Sequence, residues 1–114
     1  LSYHWIKIFE TEEEMNGSTS FNSFLTLHLK GESICLTRTR QGVFAVQEKC
    51  PHNGASLAKG FCTPENLIVC PLHRYQFNLS DGKGKTGGYA LKTYPIEIKP
   101  NGVYIGIKAK WWEF

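Results

Sequence analysis

Two short stretches hold the residues best suited to chemistry, Cys50-Pro51-His52 and Cys70-Pro71-Leu72-His73, with residues 53–69 between them. Together they form C-x-H, a spacer and C-x2-H, a ligand set split evenly between sulfur and nitrogen. Two thiolates and two imidazoles suit tetrahedral zinc or an iron–sulfur centre of mixed ligation. Zinc knuckles usually pair like with like in each arm, whereas both arms here are mixed. A Cys-x-His arm on an extended loop points both ligands the same way. It can serve two metal atoms a short distance apart, the Cys to one and the His to the other. Pro51 and Pro71 each follow a candidate ligand Cys and fix φ at the start of each loop. Gly54 and Gly87-Gly88 would let backbone approach such a centre and donate N–H groups to it.

The elements that must aim these loops are strands. Tyr3 to Phe9 is rich in aromatic and β-branched residues and is predicted as an opening strand. Thr11 with Glu14 three residues later makes a capping-box pattern for one short helical turn over Thr11 to Met15, and a loop is expected from Asn16 to Ser20. Phe24 to Leu29, Ile34 to Thr39 and Val43 to Gln47 form a meander with turns at Lys30-Gly31-Glu32 and Arg40-Gln41-Gly42. The first pair follows the third of these strands. A very short strand, Leu67 to Val69, delivers the second, and Tyr75 to Leu79 leads away from it. Lys92 to Lys99 and Val103 to Lys108 alternate around Pro100-Asn101-Gly102 and predict a closing hairpin. Trp111-Trp112 is expected to cover an open sheet edge.

Composition narrows the function classes. The 114 residues are expected to form one domain, and 41% hydrophobic with 20% charged residues is globular rather than disordered composition. The net charge of +3 is spread along the chain with no basic helix, which argues against nucleic acid. No apolar run approaches the ~20 residues of a membrane span, and no signal-peptide pattern opens the chain. Cys and His at close spacing in such a chain point to metal rather than disulfides, so a reducing, cytoplasmic compartment is expected.

Other candidates weigh less. Cys35 lies mid-strand and is expected in the core; Cys62 is expected buried or free, without a bridge to Cys35. His4 and His28, on strands, are expected to pack or face solvent. Gly82-Lys83-Gly84-Lys85-Thr86-Gly87 mimics a nucleotide loop, but Leu79 stands where a P-loop needs Gly, and Gly87-Gly88 opposes the helix that must follow. It is better taken as a third loop approaching the metal centre.

The stretches C-P-H-N-G-A-S-L and V-C-P-L-H-R-Y-Q-F-N-L-S-D-G-K resemble the two cluster-binding loops of the Rieske [2Fe–2S] family, most closely its small soluble ferredoxins and the related domains of oxygenases. The downstream L-K-T-Y-P-I-E-I-K-P-N-G-V-Y-I resembles that family's final strands, so the likeness covers roughly residues 43–107. It implies an all-β fold, a Rieske-type antiparallel sandwich or barrel. The single domain 1–114 would have a base of about six strands from 1–47 and 78–114 and an inserted cluster-binding subdomain at 48–77. It implies one [2Fe–2S] cluster, with Cys50 and Cys70 on one iron and His52 and His73 on the solvent-facing iron. The expected function is single-electron transfer from a flavoprotein reductase to an oxygenase-like acceptor, by a carrier that is not itself an enzyme. The alternatives are an accessory or redox-sensing subunit of a larger oxidoreductase and a structural zinc module.

The ligand set bears on the redox potential through charge. Two ferric ions, two sulfides and two thiolates sum to zero with neutral imidazoles, so adding an electron costs less than in an all-Cys cluster. High-potential members of the resembled family carry an extra Cys in each loop, paired as a disulfide, and hydroxyls two and four residues after the second His. Ala55 and Leu72 occupy the former positions here, and Tyr75 and Phe77 the latter. Arg74 stands where many relatives have Gly, placing a positive charge beside the second His. Fewer hydrogen bonds to the cluster predict a midpoint in the lower part of the ~ −150 to +300 mV range for this ligation. Protein-film voltammetry giving a value well above zero would contradict that expectation.

Overall fold

A computed structural model describes residues 2–85 and 88–109. In chain order its elements are β1 (Tyr3–Phe9), α1 (Glu12–Ser18), β2 (Phe24–Leu29), β3 (Glu32–Thr39), β4 (Gly42–Gln47), a 3-10 turn at Leu57–Lys59, β5 (Phe61–Cys62), β6 (Leu67–Val69), β7 (Gln76–Asn78), β8 (Thr93–Tyr94), β9 (Ile96–Lys99) and β10 (Gly102–Lys108). The predominantly antiparallel β class expected from the sequence is the one observed. The chain divides into two compact units, Leu1–Ser18 with Tyr94–Phe114, and Thr19–Thr93.

In the first unit β10 lies between β1 and β9, antiparallel to both. Alternation along β10 buries Val103, Ile105 and Ile107, which stand opposite Phe9, Ile6 and His4 of β1. The expected cap forms: Thr11 Oγ1 accepts from the Glu14 N–H at 3.0 Å, and Glu14 Oε1 accepts from the Glu10 N–H at 2.9 Å. Three glutamates, Glu12, Glu13 and Glu14, fill the first turn, where the helix dipole favours negative charge. The helix runs on through Asn16 and Gly17 to Ser18, beyond the single turn expected. Met15 is buried, and that packing offsets the poor helix propensity of the residues after it.

The second unit contains the candidate ligands. Its meander β2-β3-β4 pairs Leu36 with both Leu25 and Ala45, and β8 adds to the far edge of β4. A three-stranded sheet, β5-β6-β7, holds Ile68 between Cys62 and Phe77. The strand β5 carries no alternation in the sequence and was not expected. Cys35, Val46, Cys50, Leu57, Ile68, Cys70, Phe77, Leu79 and Leu91 form one buried core, so two of the four candidate ligands are themselves core residues.

The strand expected over Lys92 to Lys99 is two strands. β8 belongs to the β2-β3-β4 sheet and β9 to the β1-β10 sheet. Pro95 separates them: it has no N–H for a ladder, while its carbonyl accepts from Gly106 at 2.9 Å. The in-phase alternation of Tyr94 with Ile98 therefore does not mark one face, and Ile98 is 49% exposed. Trp111-Trp112 and the expected edge cover lie outside the described residues.

Gly60 marks the tightest backbone approach beside the second ligand strand. A Cβ built there would lie 1.9 Å from the Val69 carbonyl oxygen, the residue before Cys70. Gly60→Ala must therefore displace β6. The expected cost is about 1–3 kcal/mol, read by denaturant unfolding. An unchanged midpoint would show that β5 and β6 can separate freely.

Candidate metal centre

The two loops are closed by the same bond. The Cys50 N–H donates to the Ala55 carbonyl and the Cys70 N–H to the Tyr75 carbonyl, each at 2.8 Å and each spanning five residues. The first loop is tightened further by Gly54 N–H donating to the Cys50 carbonyl at 2.8 Å, with Gly54 at φ 79°. The second loop turns through two left-handed residues, His73 at φ 62° and Arg74 at φ 55°. Non-glycine residues pay roughly 1–2 kcal/mol each for that conformation. A glycine after the second His would avoid one such cost; Arg74 keeps the turn and adds an exposed cation.

Behind the loops, side chains tie the frame together. Gln47, at the end of β4, accepts from the Lys92 N–H at 2.7 Å and donates to the Lys49 carbonyl at 2.6 Å. Ser56 Oγ donates to Glu48 at 2.8 Å and accepts from the Ala58 N–H at 3.3 Å, capping the 3-10 turn. Buried Asn66 accepts from Thr39 Oγ1 at 2.7 Å and donates to Ser80 Oγ at 3.2 Å, fixing the turn that feeds β6. Asn53 spans the two loops. Its Oδ1 accepts from the Ala55 N–H at 2.9 Å and from the Cys70 thiol at 3.8 Å, while its amide nitrogen lies 3.3 Å from His52 Nδ1 and 3.5 Å from the Leu72 carbonyl.

All four candidates come together as two pairs. Cys50 and Cys70 are both buried and belong to one core cluster. Burial pushes the Cys50 thiol up, and Cys70 adds to that; backbone N–H groups of His52 and Asn53 act in the opposite direction by favouring the thiolate. His52 is half-buried and His73 exposed, with ring centroids 5.6 Å apart at 88°. Among the described residues, no three His, Cys, Asp or Glu side chains converge where a single metal ion could sit. A tetrahedral one-ion site needs all four donors at one point.

The remaining candidates fall outside this cluster. All four cysteines are free. Cys35 is fully buried, and burial, helped by nearby Cys62 and Glu48, pushes its thiol up to about 12, which makes it an inert core residue. Cys62 is half-buried beside Thr37 Oγ1 at 3.7 Å, and burial raises its pKa too. His28 contacts Ser33 Oγ at 3.1 Å. Tyr89, just past the Gly82–Gly87 stretch and singled out by no motif in the sequence, has its ring 5.2 Å from that of His52. Gly87, expected to supply backbone donors, lies outside the described residues.

Residues 4–95 match the model of the Rieske [2Fe-2S] domain, and the chain belongs to that family. Family membership implies one [2Fe-2S] cluster. The residues present fit it: two buried thiols in one core cluster, with N–H groups of His52 and Asn53 favouring the Cys50 thiolate, and two neighbouring imidazoles, one half-buried and one exposed. Over 66 residues the chain is 36% identical to a 3-phenylpropionate/cinnamic acid dioxygenase ferredoxin subunit of Photorhabdus laumondii, covering 56% of this chain and 63% of that one. Over 88 residues it is 36% identical to a cholesterol 7-desaturase of Xenopus laevis, covering 74% of this chain but 19% of that protein. The chain thus spans less than two thirds of the length of either relative. A nitrite reductase small subunit from Mycobacterium tuberculosis has the same fold at a TM-score of 0.80 and 19% identity, covering 96% of this chain and all of that one.

Asn53→Ala removes the acceptor for the Ala55 N–H and the bridge between the loops. It is expected to destabilise the protein by about 1 kcal/mol in denaturant unfolding. Asn53→Asp, which keeps the acceptor, should recover most of that loss.

Proposed function

We propose that this chain is a one-electron carrier in which Cys50 and Cys70 bind the inner iron of the cluster and His52 and His73 the outer one. The observation that carries this reading is the unequal burial of the two ligand types: both thiols lie in the core, whereas His52 is half-buried and His73 exposed. When bound, the cluster supplies reversible storage of a single electron. The protein's own part is to keep water from the sulfurs, hold both imidazoles at the exposed end and present a contact surface there. Leu72, 52% exposed, and Arg74 flank His73 and offer a partner one apolar and one cationic contact. The segment 48–77 acts as the cluster-binding subdomain of a single domain.

The relatives support one of the two proposed partners, the acceptor, and the reductase is part of the proposal. A ferredoxin subunit of a dioxygenase system supports an oxygenase-type acceptor, and a flavoprotein reductase is the matching electron source. Relatives named as ferredoxin components favour a carrier over an enzyme in its own right. Four free thiols suit a reducing compartment such as the cytoplasm. No described helix is long and apolar enough to cross a membrane.

Anaerobic reconstitution with iron and sulfide tests the ligand assignment. A brown protein is expected, with equal iron and sulfide content and a reduced EPR spectrum whose average g lies below that of all-Cys clusters. Cys50→Ser or Cys70→Ser should abolish it. A colourless protein holding stoichiometric zinc would overturn the assignment. Turnover then tests the carrier role: with a reductase and an oxygenase, the protein should support many cycles per molecule. Activity only as a fixed stoichiometric component would instead identify an accessory subunit.

A further inference from the structure

The two histidines sit in unequal surroundings. His73 is exposed, and the edge of its ring meets His52. His52 is half-buried and meets two tyrosine rings as well, Tyr75 at 3.9 Å and 80° and Tyr89 at 5.2 Å and 68°, with those two rings 5.8 Å from each other. Tyr75 is carried by the second ligand loop itself. Tyr89 comes from the third loop, which contributes none of the four candidate ligands.

The described residues of that third loop are well braced. The Gly84 N–H donates to the Tyr89 carbonyl at 3.0 Å, Lys83 bridges Ala90, and the Leu91 N–H donates to the Gly82 carbonyl at 2.6 Å. On its other side, Phe77 bridges Gly84 and the Lys85 N–H donates to the Gln76 carbonyl at 2.9 Å, which anchors the loop to β7. Close approach is built in at Gly82, where a Cβ would lie 2.1 Å from the Leu91 carbonyl oxygen. The backbone at Tyr89 is therefore fixed, and its ring, 38% exposed, is held over His52 rather than released to solvent.

We propose that Tyr89 is a positioning residue for His52: its ring closes the side of the imidazole that Tyr75 leaves open and holds the ring plane for ligation. The proposal rests on His52 being an iron ligand. An edge-to-face contact at this spacing restrains both tilt and departure of the imidazole, because the ring must break it to swing away. His73 faces solvent more openly, so detachment of an imidazole is restrained mainly on the His52 side.

Reconstituted parent, Tyr89→Phe, Tyr89→Leu and Tyr89→Ala proteins test this. Three readouts are needed: loss of visible absorbance in excess bathophenanthroline, the reduced EPR spectrum, and thermal unfolding of the cluster-free chain. Tyr89→Ala is expected to lose its cluster about fivefold faster, the equivalent of ~1 kcal/mol for one aromatic contact. Its g-tensor should shift or broaden, while Tyr89→Phe stays close to the parent. Tyr89→Leu is expected to fall between them and gives the same comparison if the alanine variant does not fold. Unchanged cluster loss and unchanged g-values in both Tyr89→Ala and Tyr89→Leu would overturn the proposal. So would faster loss that follows lowered unfolding temperature with an unaltered EPR spectrum, since the tyrosine would then serve only the loop. Loss as fast in Tyr89→Phe as in Tyr89→Ala would place the effect in the hydroxyl and overturn it too. A parent protein that takes up no cluster would remove the ligand assignment itself, an outcome distinct from any difference among the variants.

Discussion

The hydrogen bond from each candidate ligand cysteine's N–H to the carbonyl five residues on is the constraint from which the rest of the site follows. It makes Cys50 to Ala55 and Cys70 to Tyr75 two closed loops of the same span. A closed loop keeps its backbone polar groups paired while its first residue remains in the core. Cys50 and Cys70 can therefore be core residues, packed with Leu57, Ile68 and Phe77, although each begins an irregular segment. The histidines, two and three residues further on, are carried by the same loops outward, His52 to a half-buried position and His73 to an exposed one. Burial of sulfur and greater exposure of nitrogen are two ends of one geometry.

The closure also explains why so much supporting structure lies on polar side chains. Loops held by so few internal bonds need neighbours to fix their direction. Asn53 ties the first loop to the second, Gln47 ties the base of the first to the returning strand at Lys92, and Asn66 holds the turn before β6. Each bond alone contributes about 1 kcal/mol. Their shared effect is positional, since every one acts on a segment that begins or ends at a ligand loop.

Much of the site was legible because its signals are local. Cys and His spacing is read directly from the chain, the Thr11 and Glu14 cap is a four-residue pattern, and Pro100-Asn101-Gly102 announces its hairpin. What was not legible depends on distant neighbours. Tyr89 lies beyond a glycine-rich stretch and becomes a site residue only when that stretch folds back along β7. The extent of α1 depends on burial of Met15, and β5 exists because β6 offers it an edge. The division of Lys92 to Lys99 had a visible sign in Pro95. Alternation of Tyr94, Ile96 and Ile98 masked it, because periodicity records parity and not which sheet a strand joins.

Position 77 shows what packing demands of a side chain just beyond the second ligand loop. Phe77 is 1% exposed, stands opposite Ile68 across β6 and β7, and is among the largest fully buried side chains. Losing a buried phenylalanine ring costs about 3–5 kcal/mol, whereas one hydrogen bond contributes about 1 kcal/mol net. A hydroxyl in place of the ring would thus give up more stability than its hydrogen bond returns. The three-stranded sheet that carries the second loop is short, and its middle strand has three residues. With so little ladder to hold it, the sheet depends on apolar contacts such as this one. Packing therefore demands a ring at position 77, and a donor there would have to come on a ring of that size, as in tyrosine.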